Sequence, residues 1–206
     1  MRPRILDLFC GAGGASVGYH RAGFDVVGVD INPQPRYPFD FVQADAMTYP
    51  LDGFDAIHAS PPCQFYANVT AWRGNPHDHP DLIAPTRQRL IDTGLPWVLE
   101  NVPEAPVRPD LLLCGSMFGL KVRRHRAFET SPRLFSLLPP CHHRGLLPFM
   151  HKGERAYADA LGCEWMTNRE AREAIPPAYS QHLGELMLAA IQPAWTGPPT
   201  HTGRTE

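Results

Sequence analysis

The chemistry on offer centres on a cysteine enclosed by prolines. Ser60-Pro61-Pro62-Cys63-Gln64 follows the short apolar run FDAIHA and precedes a polar, proline-rich loop. A lone cysteine is commonly a small core residue, but no packing rule asks for two prolines and a glutamine beside one. A cysteine held this way at the end of a strand is a candidate nucleophile. Glu100 ends a second apolar run, WVLEN, and its neighbour Asn101 is placed to orient it. Arg124 and Arg126 alternate in RHRAFET, so on a strand they share one face. Positive charge near a thiol lowers its pKa, and a carboxyl that keeps its proton serves as a general acid.

A second constellation lies upstream. The run RILDLF ends in the turn Cys10-Gly11-Ala12-Gly13-Gly14, followed by a helical stretch. A strand, a glycine-rich turn and a helix present backbone N–H groups to a ligand at the helix N-terminus. The spacing is not the GxGxxG of dinucleotide binders, which counts against NAD or FAD. Asp30 closes the run DVVGVD, and Asp45 follows FDFVQ. Each acid taken singly could merely end its strand. As an ordered set, each at a strand's carboxyl end, they favour a nucleoside cofactor, with Asp30 on the ribose and Asp45 on an adenine amino group.

These groups fit one reaction. Carbon-5 of cytosine is a poor nucleophile. A thiolate from Cys63 adding at carbon-6 makes an enamine whose carbon-5 can attack a methyl sulfonium. A protonated Glu100 at ring nitrogen-3 stabilises the charge that builds up, and Arg124 and Arg126 favour the thiolate.

The elements that must position these residues alternate. Strands are expected at 4–9, 25–30, 39–43, 54–59, 97–101, 111–115 and 124–130. Helices are expected at 15–22, 84–93, 170–174 and 180–191. Such alternation predicts an α/β fold with a mostly parallel sheet covered on both faces. The expected organisation is a cofactor-binding and catalytic core over 1–130 and a short irregular insert over 131–166. A helical segment over 167–192 completes the core, and 193–206 form a disordered tail.

With 206 residues and 43% hydrophobic content, the chain suits one domain with a buried core. Five widely spaced cysteines do not make a disulfide framework. No apolar stretch reaches a membrane span, and MRPRILDLF lacks a signal-peptide core. A soluble, cytoplasmic protein is expected, in a bacterium or a phage-infected host. The net charge of −2 gives no global attraction to nucleic acid, so phosphate would be met by a local patch. Arg123, Arg124, Arg126, Arg133, Arg144, Lys152 and Arg155 concentrate charge for that purpose. Cys141, His142 and His143, with Cys163 or His151, raise the question of zinc. Adjacent histidines suit one tetrahedral site badly and no C-x-x-C pair is present, so no metal is expected. His77, Asp78 and His79 read as polar loop residues.

The chain resembles the cytosine-5 DNA methyltransferase family. The resemblance rests on DLFCGAGGASVGYHRAGF, VGVDINP, QADA, SPPCQ, LENVP and GSMFGLKVRRHRAFE, and more weakly on MTNREAREAIPPAYSQHLG. These stretches occur in family order and cover most of 4–184. The resemblance implies a Rossmann-like S-adenosylmethionine-dependent methyltransferase fold, with a seven-stranded sheet and one antiparallel strand at the end. It places S-adenosylmethionine against Phe9, Cys10, Gly11, Gly13, Asp30, Ile31, Asp45, Ala46 and Pro61. It makes Cys63 the nucleophile, Glu100 the residue that engages the cytosine edge, and Arg124 and Arg126 the paired arginines of a Q-x-R-x-R pattern. The target cytosine would be flipped out of duplex DNA. Gln64 and Asn101 would lie beside it, and Trp72 and Arg73 of the following loop would touch DNA.

Three departures stand out. Val122 replaces the glutamine of Q-x-R-x-R, and YSQHLG replaces the G-N-S/A-V that closes the family's cofactor pocket. Residues 131–166 are too few for a target-recognition domain of usual size, roughly 50 residues or more. Target reading is therefore expected to be slight or to come from a protein partner. The same chemistry on RNA such as tRNA, or on a free cytosine nucleotide, stays open. So does a non-catalytic, cofactor-binding subunit of another methyltransferase.

Overall fold

A computed structural model describes residues 1–67, 75, 78–143, 146–147 and 150–191. Trp72, Arg73, Arg144 and the tail expected from 193 lie outside the described residues. No helix among the described residues is long and apolar enough to cross a membrane.

Seven strands follow the expected order: β1 (Arg4–Leu8), β2 (Asp25–Asp30), β3 (Asp40–Gln43), β4 (Ala56–Ala59), β5 (Trp97–Asn101), β6 (Leu111–Cys114) and β7 (His125–Ser131). They form one sheet in the order β3-β2-β1-β4-β5-β7-β6. β1 to β5 run parallel, and β7 is antiparallel to both β5 and β6. The antiparallel strand is last in the chain but inserts between β5 and the edge strand β6. β1, β4 and β5 are buried on both faces, which explains their near-continuous apolar sequences.

The helices are α1 (Gly14–Ala22), α2 (Ile83–Thr93), α3 (Ala156–Leu161), α4 (Asn168–Glu173) and α5 (Pro177–Ile191). Ile5, Tyr19, Val98, Phe128, Tyr179 and Leu183 form the core on the α1 and α5 side. Leu6, Leu8, Ile57, Ile83, Leu90 and Leu99 form the core on the α2 side. α1 and α5 touch through glycine: a methyl on Gly18 would overlap Ser180 Oγ and the Pro177 carbonyl. Pro177 opens α5, where a missing N–H costs nothing. Thr167 and Glu170 cap α4 reciprocally.

The region expected to be an irregular insert is divided. Helix α3 lies inside it, and Tyr157, Ala158, Leu161, Cys163 and Met166 form a third buried cluster with Ala12, Val122 and Ala171. Six residues are too few to display helical periodicity, which is why this helix is not legible in the sequence. Val122 is fully buried there, so an apolar residue occupies an apolar place. The YSQHLG stretch is likewise structural: Tyr179, Ser180, Leu183 and Gly184 are buried faces of α5.

Candidate active site

The parallel strands place their carboxyl ends along one edge. The glycine-rich turn follows β1, Asp30 ends β2, Asp45 follows β3, Cys63 follows β4, and Glu100 lies at the end of β5. Because β7 runs the other way, its amino end meets this same edge, with Ala127 opposite Asn101 and Phe128 opposite Glu100. Antiparallel insertion is therefore what brings Arg124 and Arg126 to Cys63 and Glu100.

The cysteine loop is held at several points. Ser60 N–H donates to the Leu8 carbonyl at 3.2 Å, and Ser60 Oγ donates to the Phe9 carbonyl at 3.3 Å. Asn101 Nδ2 donates to the Pro61 carbonyl at 2.9 Å. The Cys63 carbonyl then accepts the N–H groups of Tyr66 and Ala67 at 3.0 and 2.9 Å. Asn101 thus anchors the Cys63 loop, and its own Oδ1 accepts the Val102 N–H. The expectation that it orients Glu100 is replaced by this role. Gln64 Oε1 is buried without a hydrogen-bond partner among the described residues, a polar atom left over for a ligand beside the thiol.

Cys63 is half-buried. Burial pushes its thiol up, Arg126 and then Arg124 pull it down, and Glu100 opposes them. Glu100 is buried, and desolvation raises its carboxyl above the ordinary carboxylate range against the pull of Arg126 and Arg124. Arg126 Nε lies 2.7 Å from Glu100 Oε1. This contact is an ion pair without hydrogen-bond alignment, so Oε1 retains unused acceptor capacity. Arg124 is buried more deeply: Nη1 donates to Tyr157 Oη at 3.0 Å and Nη2 to the Arg172 carbonyl at 2.8 Å. Tyr179 Oη donates to the Arg124 carbonyl at 2.5 Å. Tyr157 and Tyr179 are positioning residues that the sequence does not reveal, since nothing local links them to Arg124.

Of the expected basic patch, Arg124 and Arg126 point inward, while Arg133 and Arg155 are exposed, 3.6 Å from Asp110 and 3.8 Å from Asp159.

The cofactor side is built on unusual backbone. Phe9, Gly11 and Gly13 all have positive φ, at 60°, 48° and 85°. For Phe9 that conformation is strained, and such strain gathers at functional sites. Gly11 N–H donates to Asp30 Oδ2 at 3.0 Å, and Asn32 N–H donates to Oδ1 at 2.9 Å. Each carboxylate oxygen keeps a second lone pair, which suits a ribose diol. Asp45 Oδ1 accepts the Met47 N–H at 2.8 Å, leaving Oδ2 for a ligand. Ile31 is 64% exposed beside Asp30, an apolar surface for a base. Ala46 and Pro61 are buried. Cys10 is buried too, and desolvation raises its thiol. A Cβ added at Gly11 would meet nothing within 4 Å, whereas one at Gly13 would press on Pro38 and Tyr37, so the turn is open at Gly11 and closed at Gly13. These residues fit S-adenosylmethionine.

Beneath the turn lies a polar group unseen in the sequence. Ser16 donates to Asp7, and Tyr37 Oη donates to Ser16 Oγ at 2.8 Å. Burial pushes Asp7 up to about 7. His58 Nδ1 lies 2.9 Å from Tyr19 Oη, and burial lowers the imidazole to about 3, so it stays neutral.

Sheet order and edge geometry define the class: a Rossmann-like fold of the S-adenosylmethionine-dependent methyltransferase type. Among solved structures, the chain is similar to a candidate DNA modification methyltransferase encoded within an E. coli prophage. That match has 22% identity, 67% coverage of this chain and 51% of the other, and a TM-score of 0.47. It is also similar to a variant of DNMT2 from Spodoptera frugiperda, with 23% identity, 62% and 49% coverage, and a TM-score of 0.47. An RNA methyltransferase from Salinibacter ruber, in complex with S-adenosyl-L-homocysteine, matches at 14% identity, 65% and 84% coverage, and a TM-score of 0.40. The chain spans about half the length of the first two. No protein-family model and no curated protein matches it.

Proposed function

We propose that this chain is a cytosine-5 methyltransferase that uses S-adenosylmethionine and acts on DNA through a covalent Cys63 adduct. The observation that carries the reading is the meeting of Cys63, Glu100, Arg126 and Arg124 at one sheet edge, next to the Asp30 turn. When bound, the sulfonium supplies the methyl electrophile. Phe9, Gly11 and Gly13 would bring backbone to the donor, Asp30 would hold the ribose and Asp45 the adenine amino group.

Arg126 and Arg124 favour the thiolate of Cys63 as it adds to carbon-6 of a flipped cytosine. The electron pair of the carbon-5–carbon-6 double bond moves toward carbon-5 and the ring nitrogen-3 edge. Glu100, ionised against Arg126 in the free protein but raised by burial, would take up a proton as the base enters and donate it at nitrogen-3. Carbon-5 would take the methyl group as the methyl–sulfur bond pair returns to the donor's sulfur. A base would remove the carbon-5 proton, the freed pair would re-form the carbon-5–carbon-6 double bond and expel the thiolate, and nitrogen-3 would return its proton to Glu100. Gln64 and Asn101 frame the pocket, with Asn101 holding the loop.

Target choice is separate from the chemistry. Residues 156–166 pack on the core, which leaves little of the insert for reading bases and supports a protein partner for recognition. The same shortage is what favours a second reading, in which the shape of an RNA or a free cytosine nucleotide selects itself. A cofactor-binding subunit without transfer is the remaining outcome.

The test incubates the protein with tritiated donor and, separately, duplex DNA, tRNA and deoxycytidine monophosphate, beside Cys63→Ser. Label on DNA that vanishes in the variant is expected. Label only on tRNA or nucleotide moves the substrate to the second reading, and donor binding without transfer leaves the non-catalytic one. DNA containing 5-fluorocytosine should trap an adduct; without one, the thiolate mechanism fails.

A further inference from the structure

The geometry points to a second site, unrelated to the methyl-transfer chemistry: Cys114, His125, Cys141 and His143 bind one zinc ion that fastens the strap 132–143 to the sheet. Their four ligand atoms all lie within 4.8 Å of one another. Cys141 Sγ is 3.6 Å from His125 Nε2 and 3.0 Å from His143 Nε2, and the two Nε2 atoms are 3.2 Å apart. Zinc bonds of about 2.3 Å to sulfur and about 2.0–2.1 Å to nitrogen, set tetrahedrally, place S and N about 3.6 Å apart and two N about 3.3 Å apart. The three edges among Cys141, His125 and His143 match or fall short of those of such a tetrahedron, and the edges to Cys114 are no longer than 4.8 Å.

The arrangement arises from two simple placements. Cys114 and His125 are direct partners across the antiparallel β6–β7 pair, so their side chains leave the same face close together. Cys141 and His143 are alternate residues of the strap, and His143 takes φ 54°, a left-handed backbone that histidine adopts uncommonly. None of the spacings resembles a zinc motif, and the second Cys comes from far along the chain. Of the residues that first suggested zinc, Cys141 and His143 are in the cluster, while His142, His151 and Cys163 are not.

Without a cation, two imidazole nitrogens and a thiol converge with at most a proton or two to share. A divalent ion bonds all of them, and two thiolates balance its charge at a site where Cys114 is fully buried. Ser116 Oγ lies 3.5 Å from Cys114 Sγ and itself accepts the His142 N–H at 3.2 Å, the outer contact that steadies a thiolate ligand. Two sulfurs and two imidazoles select zinc over magnesium or calcium. Four protein ligands close the coordination shell, so the role is structural. Residues 132–143 contain no helix or strand; buried Leu134 and the Ser136–His182 contact hold the first part, and the ion fastens the far end. His125 sits between Arg124 and Arg126, so the ion also steadies the start of β7.

Metal content of the full chain, purified under reductant without chelator, tests this by elemental mass spectrometry. About one zinc per chain is expected, lost in Cys141→Ser and His143→Ala and kept in His142→Ala. Cobalt(II) added to the stripped wild-type chain should give the visible bands of a tetrahedral site with thiolate charge transfer. This measurement needs no variant and survives a variant that misfolds. Absence of both zinc and the cobalt spectrum overturns the proposal. So does equal metal content in Cys141→Ser and wild type, or loss in His142→Ala as large as in Cys141→Ser. Two of the five thiols missing from the unfolded, metal-free chain without reductant, and regained when reductant is added, in the wild type but not in Cys141→Ser, would show a Cys114–Cys141 disulfide in place of the metal, and would overturn it equally.

Discussion

Replacing Arg126 by alanine isolates the electrostatics of the site. Its Nε lies 2.7 Å from Glu100 Oε1, with the two side chains only 13% and 7% exposed. Two unit charges at that distance attract by about 6 kcal/mol at an effective dielectric of 20, an attraction partly consumed by their desolvation. Removing the arginine strands a buried carboxylate, which escapes by taking a proton. From an ordinary value of 4.5, protonation at pH 7 costs about 3.4 kcal/mol. Because the wild-type carboxyl is already raised, the part of the loss that comes from Glu100 stays below that figure, at about 3 kcal/mol or less.

The sign follows from linkage. Without Arg126 the folded pKa of Glu100 rises further above its unfolded value. The extra penalty is absent where the carboxyl is protonated in both states and grows as pH rises. At pH 5 the loss should shrink to under about 1 kcal/mol. At pH 7 the melting temperature should fall by about 6–12 °C. Denaturant melts of wild type, Arg126→Ala, Glu100→Gln and the double variant, at pH 5 and 7, measure it. The double variant should recover most of the pH 7 loss. A loss equal at both pH values, or a double variant no more stable than Arg126→Ala, would refute the pairing argument.

Other expectations concern single features. The wild-type Cys63 thiol is raised above its ordinary 9.0, so iodoacetamide alkylation of the free protein should accelerate with pH into the alkaline range; a plateau by pH 8 would contradict the burial. Asn101→Ala removes the tie to Pro61 and should cost about 1 kcal/mol of stability. It should also slow methyl transfer at least tenfold with donor affinity unchanged by calorimetry; unchanged transfer would deny it a positioning role. Asp30→Ala should weaken S-adenosylmethionine binding at least tenfold, the effect of losing about 1.5–3 kcal/mol of charged hydrogen bonding, and calorimetry reads it directly. Gly18→Ala forces α1 away from α5 and should destabilise the fold by about 1–3 kcal/mol, seen as a lower denaturant midpoint.

Most of the framework is legible along the chain because its signals are local. The buried strands β1, β4 and β5 are short apolar runs, and β2 and β5 lie where their patterns place them. Cys63, Glu100, Asp30 and Asp45 each announce themselves by ending or following such a run, and parallel strands send all those ends to one edge. What local pattern cannot carry is the meeting of distant segments. The direction of β7 turns two arginines from a basic edge into partners of Glu100. Tyr157, on a helix too short to show a period, fixes Arg124, and Asn101 grips the Pro61 carbonyl rather than its neighbour. Cys114, His125, Cys141 and His143 converge only after β6 and β7 pair and the strap folds back. The residue types that do chemistry at Cys63 are written in order along the chain. Their distances, charges and supports depend on contacts between residues far apart in it, which exist only once the sheet has closed.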